Sequence, residues 1–161
     1  MIDEQNSGRP VRTRPFTWPE VLRAVAHVLA RPGGPRHTPQ VSHYSGSIDA
    51  HITVSDHVEK RPLGCADVVQ WARVMDRVDA VRIGAYGGHV QAHVDGVITG
   101  GVAVDVLLFL DRERFPIEML DGDPDAAITV DELVALAEHE RPVAEPADQA
   151  ADDARVLAGA R

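Results

Sequence analysis

Two stretches of the chain carry apolar residues at helical spacing, and each is followed by residues that alternate between apolar and polar. The first helical stretch starts at Thr17 and Glu20, whose spacing is typical of a capping box, and ends before the prolines and glycines of 32–35. The second starts after Gly64 and ends near Arg77. The pattern therefore predicts two helices, each of which leads into β-strands.

The alternating stretches predict two β-hairpins and a fifth strand. The predicted strands are residues 40–44, 47–54, 80–86, 89–98 and 102–110. Tight turns are expected at Ser45-Gly46 and at Gly87-Gly88, because glycine adopts the backbone angles that short hairpin turns require. The fifth strand is apolar on both faces, which indicates a central position or one beneath a helix. A three-residue turn at 99–101 keeps its apolar residues on the same face as those of the preceding strand.

The two helix-hairpin stretches resemble each other. Residues 41–52 and 83–94 share a tyrosine, a turn glycine, an alanine and a histidine at a constant offset of 42 positions. Chance similarity between alternating strands is the alternative explanation. The sequence therefore predicts an α+β domain with a mostly antiparallel sheet, helices mainly on one face and a C-terminal helix. Its parts are two αββ units at about 17–55 and 63–98, the strand 102–110 and the helix 129–140.

Charge divides the chain into three parts. Residues 1–37 hold six arginines against three acids, whereas residues 111–161 hold five basic residues against fourteen acids, and the net charge is −9. We expect a flexible basic arm at 1–15, a single domain at 16–140 and an acidic tail rich in Ala and Pro at 141–161. The acidic body disfavours binding to nucleic acid.

Polar side chains are expected on one face of the sheet. Two-residue turns would place His93 opposite Arg82, His89 opposite Tyr86 and His51 opposite Gln40. The predicted partner-binding face consists of Tyr44, His51, Arg82, Tyr86, His89 and His93.

Two aspartates are predicted to lie opposite each other on this face. The three-residue turn pairs Asp95 with Asp105, and two like charges across a ladder need a proton or a cation between them. Imidazole and carboxylate groups also bind zinc or manganese, so His93, Asp95 and Asp105 form a candidate metal or acid–base site. A solvated or partner-binding surface is the alternative.

Residues 121–132 resemble the calcium loop of EF-hand proteins. The matching positions are Asp121, Asp123, Asp125, Ala127, Thr129 and Glu132. Ala126 stands where that family has a glycine, so the resemblance implies at most a weak divalent-cation site. The alternative is an acidic loop that leads into a helix capped by Thr129 and Glu132.

Two further features have both a chemical and a structural explanation. Cys65 is predicted at a helix start, where backbone amides make a thiol more reactive, but a lone cysteine is more often a small buried residue. Arg9, Arg12 and Arg14 form an arm that could touch nucleic acid or only increase solubility.

Together these features favour a non-catalytic function. We expect a small intracellular binding or assembly protein, cytoplasmic and without a membrane segment, that engages another protein or itself through the sheet face. Fifteen arginines and one lysine, with abundant alanine and valine, are typical of a GC-rich bacterium, its mobile elements or its phages. The alternatives are a metal-dependent enzyme and a nucleic-acid binder that acts through the arginine arm. No cofactor is expected beyond a weakly bound divalent cation.

Overall fold

The computed structural model describes residues 14–43, 47–115 and 122–140. These residues form four helices and six strands. The helices are α1 (Trp18–Leu29), α2 (Asp56–Glu59), α3 (Cys65–Val74) and α4 (Val130–Glu138). The strands are β1 (Gln40–His43), β2 (Ala50–Val54), β3 (Arg77–Tyr86), β4 (His89–Ile98), β5 (Val102–Leu110) and β6 (Ala127–Ile128).

The strands form one mixed sheet in the order β1-β2-β5-β4-β3-β6. The pairing of β2 with β5 is parallel, whereas the other neighbouring strands are antiparallel. The α+β class, the mostly antiparallel sheet and the C-terminal helix are therefore confirmed. The central position of β5 is also confirmed, since it lies between one strand of each hairpin.

The helices cover one face of the sheet. Alternate residues of β2, β4 and β5 are buried beneath α1 and α3, and α4 packs against α3. The largest buried side chain of this core is Trp71 on α3. The apolar stripe of α1 faces the same core through Val21, Val25 and Val28. The other face of the sheet carries the polar residues of the alternation.

Short turns set the register of the second hairpin and of β5 as predicted. Arg82 pairs with His93, and Asp95 pairs with Asp105. Thr99–Gly101 forms one turn of 3₁₀ helix between β4 and β5, and Gly100 and Gly101 both have φ of 81°. A side chain rarely adopts such angles, so glycine makes this tight connection possible.

The predicted register of the first hairpin is wrong by two residues. His51 pairs with Ser42 rather than Gln40, and β2 begins only at Ala50. The reason lies in Asp49, whose backbone N donates to Ala103 O at 2.8 Å and whose carboxylate accepts from Ala103 N at 2.8 Å. These bonds hold the chain against β5 at the residue just before β2 begins. Because a shift of two residues keeps the alternation, His51 still lies on the polar face.

Several smaller features differ from the expectations. The short helix α2 and the short edge strand β6 were not predicted, α3 ends three residues earlier than expected, and β3 starts at Arg77. The expected turn at Ser45-Gly46 lies outside the described residues. The internal repeat is not confirmed and stays a prediction. No helix among the described residues has the length and apolar character needed to cross a bilayer.

Candidate functional site

The polar face of the sheet brings together ionisable side chains from four neighbouring strands. His51 on β2 pairs with Asp105 on β5, which pairs with Asp95 on β4. The next row places His93 on β4 beside Arg82 on β3. We refer to these five residues as the face network. Its members lie within two adjacent rows of one face, because side chains two residues apart on a strand point the same way.

Asp105 is the centre of the face network. His51 Nδ1 lies 2.8 Å from Asp105 Oδ2, and His93 Nδ1 hydrogen-bonds Asp105 Oδ1 at 3.2 Å. Although burial opposes it, the contacts with His93 and His51 lower the pKa of Asp105. Because an ionised carboxylate can only accept, both imidazoles present an N–H at Nδ1. One carboxylate therefore orients two imidazoles from two different strands.

The second aspartate has the opposite electrostatic environment. Burial and the neighbouring Asp105 raise the pKa of Asp95, and they outweigh the opposing effects of Arg82 and His93. Arg82 Nη2 donates to Asp95 Oδ2 at 2.5 Å, whereas Arg82 Nε is buried without a hydrogen-bond partner. The two opposing aspartates therefore have pKa values shifted in opposite directions, with that of Asp95 raised and that of Asp105 lowered. One guanidinium and two imidazoles surround them.

The loop just before β6 forms one side of the polar face. The hydroxyl of Tyr86 donates to Pro124 O at 3.0 Å and lies 3.1 Å from Asp125 Oδ1. Pro124 packs directly on Gly84, where a Cβ atom would collide with it. The Tyr86 ring also meets the His93 ring edge to face, with centroids 6.3 Å apart. Glycine at 84 therefore lets the loop lie against β3 next to the face network.

The candidate metal residues belong to the face network. Within the described ranges, no group of three or more His, Cys, Asp or Glu is placed to hold a metal ion. His51 and His93 each turn Nδ1 towards Asp105, so their Nε2 atoms lie on the far sides of the two rings. Neither Nε2 atom makes a hydrogen bond to a described residue. The candidate metal residues His93, Asp95 and Asp105 do lie together, and Asp105 orients the imidazoles of His51 and His93.

The remaining residues of the predicted partner-binding face are spread further out. His89 pairs with Tyr86 at the end of the hairpin and is exposed. Tyr44 lies outside the described residues.

The calcium-like loop uses its polar groups within the protein. Glu132 Oε2 accepts from Thr129 N at 2.7 Å and from Thr129 Oγ1 at 2.9 Å, which is the capping box of α4. Ala127 belongs to β6 and pairs with β3, and Asp123 Oδ1 accepts from Asp125 N at 3.0 Å. Asp121 lies outside the described residues. The capping explanation accounts for the second half of this loop.

The arginine arm is described only at its end. Arg14 forms two hydrogen bonds with Glu20, at 2.6 and 3.0 Å, and together with Thr17 it lowers the pKa of Glu20 to about 2. Arg9 and Arg12 lie outside the described residues. The guanidinium of Arg14 is thus engaged in an exposed ion pair at the start of α1.

Cys65 has the structural rather than the chemical role. Its side chain is fully buried, and burial followed by the nearby Glu140 carboxylate raises the pKa of the thiol well above its usual range. Glu140 also accepts from Cys65 N and forms an ion pair with Arg114 at 3.3 Å. The explanation of Cys65 as a reactive thiol is therefore wrong. A thiolate at this position would be buried away from water and repelled by the carboxylate of Glu140.

A buried polar network beneath the helices was not predicted. Trp71 Nε1 donates to His37 Nδ1 at 3.0 Å, so the proton of His37 lies on Nε2, which is 3.0 Å from Asp67 Oδ1. Arg61 Nη2 and Gly64 N also donate to Asp67, at 2.6 and 2.9 Å. We call this set the buried network. Although burial opposes it, the bonds from His37 and Arg61 lower the pKa of Asp67 below its usual range.

Comparison of this chain with protein-family models, with curated proteins and with solved structures finds no match.

Proposed function

We propose that this chain is a non-catalytic binding protein that engages another macromolecule through the polar face of its sheet. The observation that carries the proposal is the face network, in which side chains from four strands converge on the face opposite the helices. The side chains of His51 and His93 are 26% and 23% exposed. Both imidazoles are thus held in place and remain reachable.

The shape of this face suits a large partner. The six strands hold 40 residues, which at about 3.3 Å per residue and about 4.8 Å between strands give a face of about 630 Å², part of which Pro124 covers at Gly84. One partner in a standard protein interface contributes about 800 Å². Two surface pockets lie elsewhere, one beside α2 and one between α1 and the 99–101 turn. A broad surface of half-buried polar and apolar groups is typical of a contact with another macromolecule.

Native mass spectrometry of the untagged chain from its own cells tests this function. We expect an assembly heavier than the single chain, and we expect the paired substitutions His51→Ala and His93→Ala to reduce it about tenfold, as loss of central contacts does. His27→Ala is the matched control, because His27 is exposed on α1, which packs on the opposite face. Circular dichroism verifies that each variant is folded.

A second variant keeps the test decisive if the paired substitution unfolds the protein. Gln91→Trp adds bulk to the same face and leaves the face network in place, since Gln91 pairs with Phe109 beyond the ionisable rows. A single chain in every sample would contradict the proposal. An assembly that survives both face variants would contradict it equally.

A further inference from the structure

The polar face has an excess of negative charge, and this excess indicates the chemistry of its partner. Asp95 and Asp105 lie within the face network, and Asp123 and Asp125 lie beside it on the loop that Tyr86 contacts. The groups of the face network that can carry positive charge are the guanidinium of Arg82 and the two imidazoles of His51 and His93. The four carboxylates of the face network and the loop outnumber these three groups.

We propose that the polar face receives a protein segment that presents lysine or arginine side chains. This inference rests on the proposed function and names the chemical class of the partner. Arg82 illustrates the recognition, since its Nη2 donates to Asp95 at 2.5 Å. A guanidinium from a partner would make the same kind of charge-assisted bond to the carboxylates at the centre of the face.

Apolar residues on the same face suit the long stems of these side chains. Leu107 lies in one row between Thr53 and His93, and Phe109 lies in the next row beside Gln91. Both apolar side chains are half-buried. The methylene groups of lysine and arginine pack on such surfaces while their charged ends reach a carboxylate. An acidic or purely polar segment would leave these contacts unused.

Charge disfavours other classes of occupant. The chain has a net charge of −9, so two copies repel each other and a phosphate backbone is repelled in the same way. A bare metal ion is disfavoured because the described residues offer no group of three ligands for it. A basic protein segment is the occupant that complements both the charge and the area of the face.

Binding of a fluorescent nona-arginine peptide to the full chain tests the inference by anisotropy. We expect Asp95→Asn to weaken binding about fivefold, because a charge at the contact interacts far more strongly than a distant one. Glu138→Gln is the matched control, since it removes one exposed charge from α4, which packs on the opposite side. We expect that control to change the affinity less than twofold.

A rim substitution and a reversed peptide complete the experiment. Asp125 lies outside the face network, where it contacts Tyr86. We expect Asp125→Asn to weaken binding of the peptide about twofold, and this result does not depend on whether Asp95→Asn alters the fold. Equal losses from Asp95→Asn and Glu138→Gln would overturn the inference, because the attraction would then be general. Comparable binding of a nona-glutamate peptide would also overturn it.

The outcomes separate this inference from the proposed function. An assembly in native mass spectrometry that depends on His51 and His93, together with no selective binding of nona-arginine, would overturn the basic partner and keep the binding face. If neither the histidine-dependent assembly nor the selective binding of nona-arginine is found, the proposed function is overturned as well.

Discussion

The face network and the buried network use the same residue types in different surroundings. Each contains an aspartate that contacts histidine and an arginine that donates to a carboxylate. In the buried network, the side chains of His37 and Asp67 are 0% and 5% exposed, whereas Asp105 in the face network is 15% exposed. Burial decides what each network can do, because a buried polar group must find all its partners within the protein.

Hydrogen bonding shows the difference most clearly. Both ring nitrogens of His37 are engaged, one by Trp71 and one by Asp67. His51 and His93 each use Nδ1 for Asp105, and neither Nε2 bonds a described residue. A fully satisfied network stabilises the fold, whereas a half-satisfied one at the surface retains capacity for an external group. The comparison therefore indicates a structural role for the buried network, and it supports the binding role that we propose for the face network.

The largest expected effect is the loss of Asp67. Asp67→Ala removes the acceptor for Arg61, His37 and Gly64 N, and it leaves the buried donors of His37 and Gly64 without a partner. We expect the free energy of unfolding to fall by about 3–5 kcal/mol. Urea unfolding followed by circular dichroism measures it. A loss below about 1 kcal/mol would show that the buried network does not stabilise the fold.

A smaller effect is expected at the centre of the face network. Asp105→Asn keeps the shape of the side chain but replaces an ionised acceptor of two imidazole N–H groups. We expect a loss of about 1–2 kcal/mol in the same urea experiment, since water can reach the donors that are left. The imidazole nitrogen NMR signals of His51 and His93 should both shift. If Asp105→Asn destabilises the protein as much as Asp67→Ala, the contrast between the two networks fails.

Local patterns in the sequence predicted the parts of the face network that short turns determine. The pairings of Arg82 with His93 and of Asp95 with Asp105 follow from tight turns of two and three residues, whose geometry fixes register. The contact between His51 and Asp105 was not predicted. It depends on the parallel pairing of β2 with β5, which are separated by more than forty residues of chain, and no local pattern encodes such a pairing.

The buried network had an even weaker signal in the sequence. His37 follows a proline- and glycine-rich segment, and Arg61 lies in another connection, so neither belongs to an apolar periodicity. The spacing of Gly64 and Asp67 is the one local indication, because an acid three residues after a helix start often accepts a backbone N–H. Its long-range partners come together only when the helices pack on the sheet.

The smallest expected effect concerns pH, where Asp67 and Asp95 should act with opposite sign. The pKa of Asp67 is lowered by folding, so its stabilisation is present above the ordinary aspartate pKa of about 3.9 and is lost as the pH falls through the folded value. The pKa of Asp95 is raised, so its ionised form costs stability at neutral pH, and that cost disappears as the pH falls through its folded value.

Asp95→Asn separates the two contributions. We expect this variant to change the free energy of unfolding at pH 7 by less than about 1 kcal/mol, with stabilisation as the expected direction, because it removes the like charge beside Asp105. The gain should shrink as the pH falls through the raised pKa of Asp95, because the wild-type side chain then takes up a proton. Urea unfolding of both proteins between pH 4 and 7 measures this trend. If Asp95→Asn instead destabilises the protein, and does so more strongly as the pH rises, the bond from Arg82 to Asp95 outweighs the repulsion from Asp105. Asp95 would then serve the fold rather than an incoming cation.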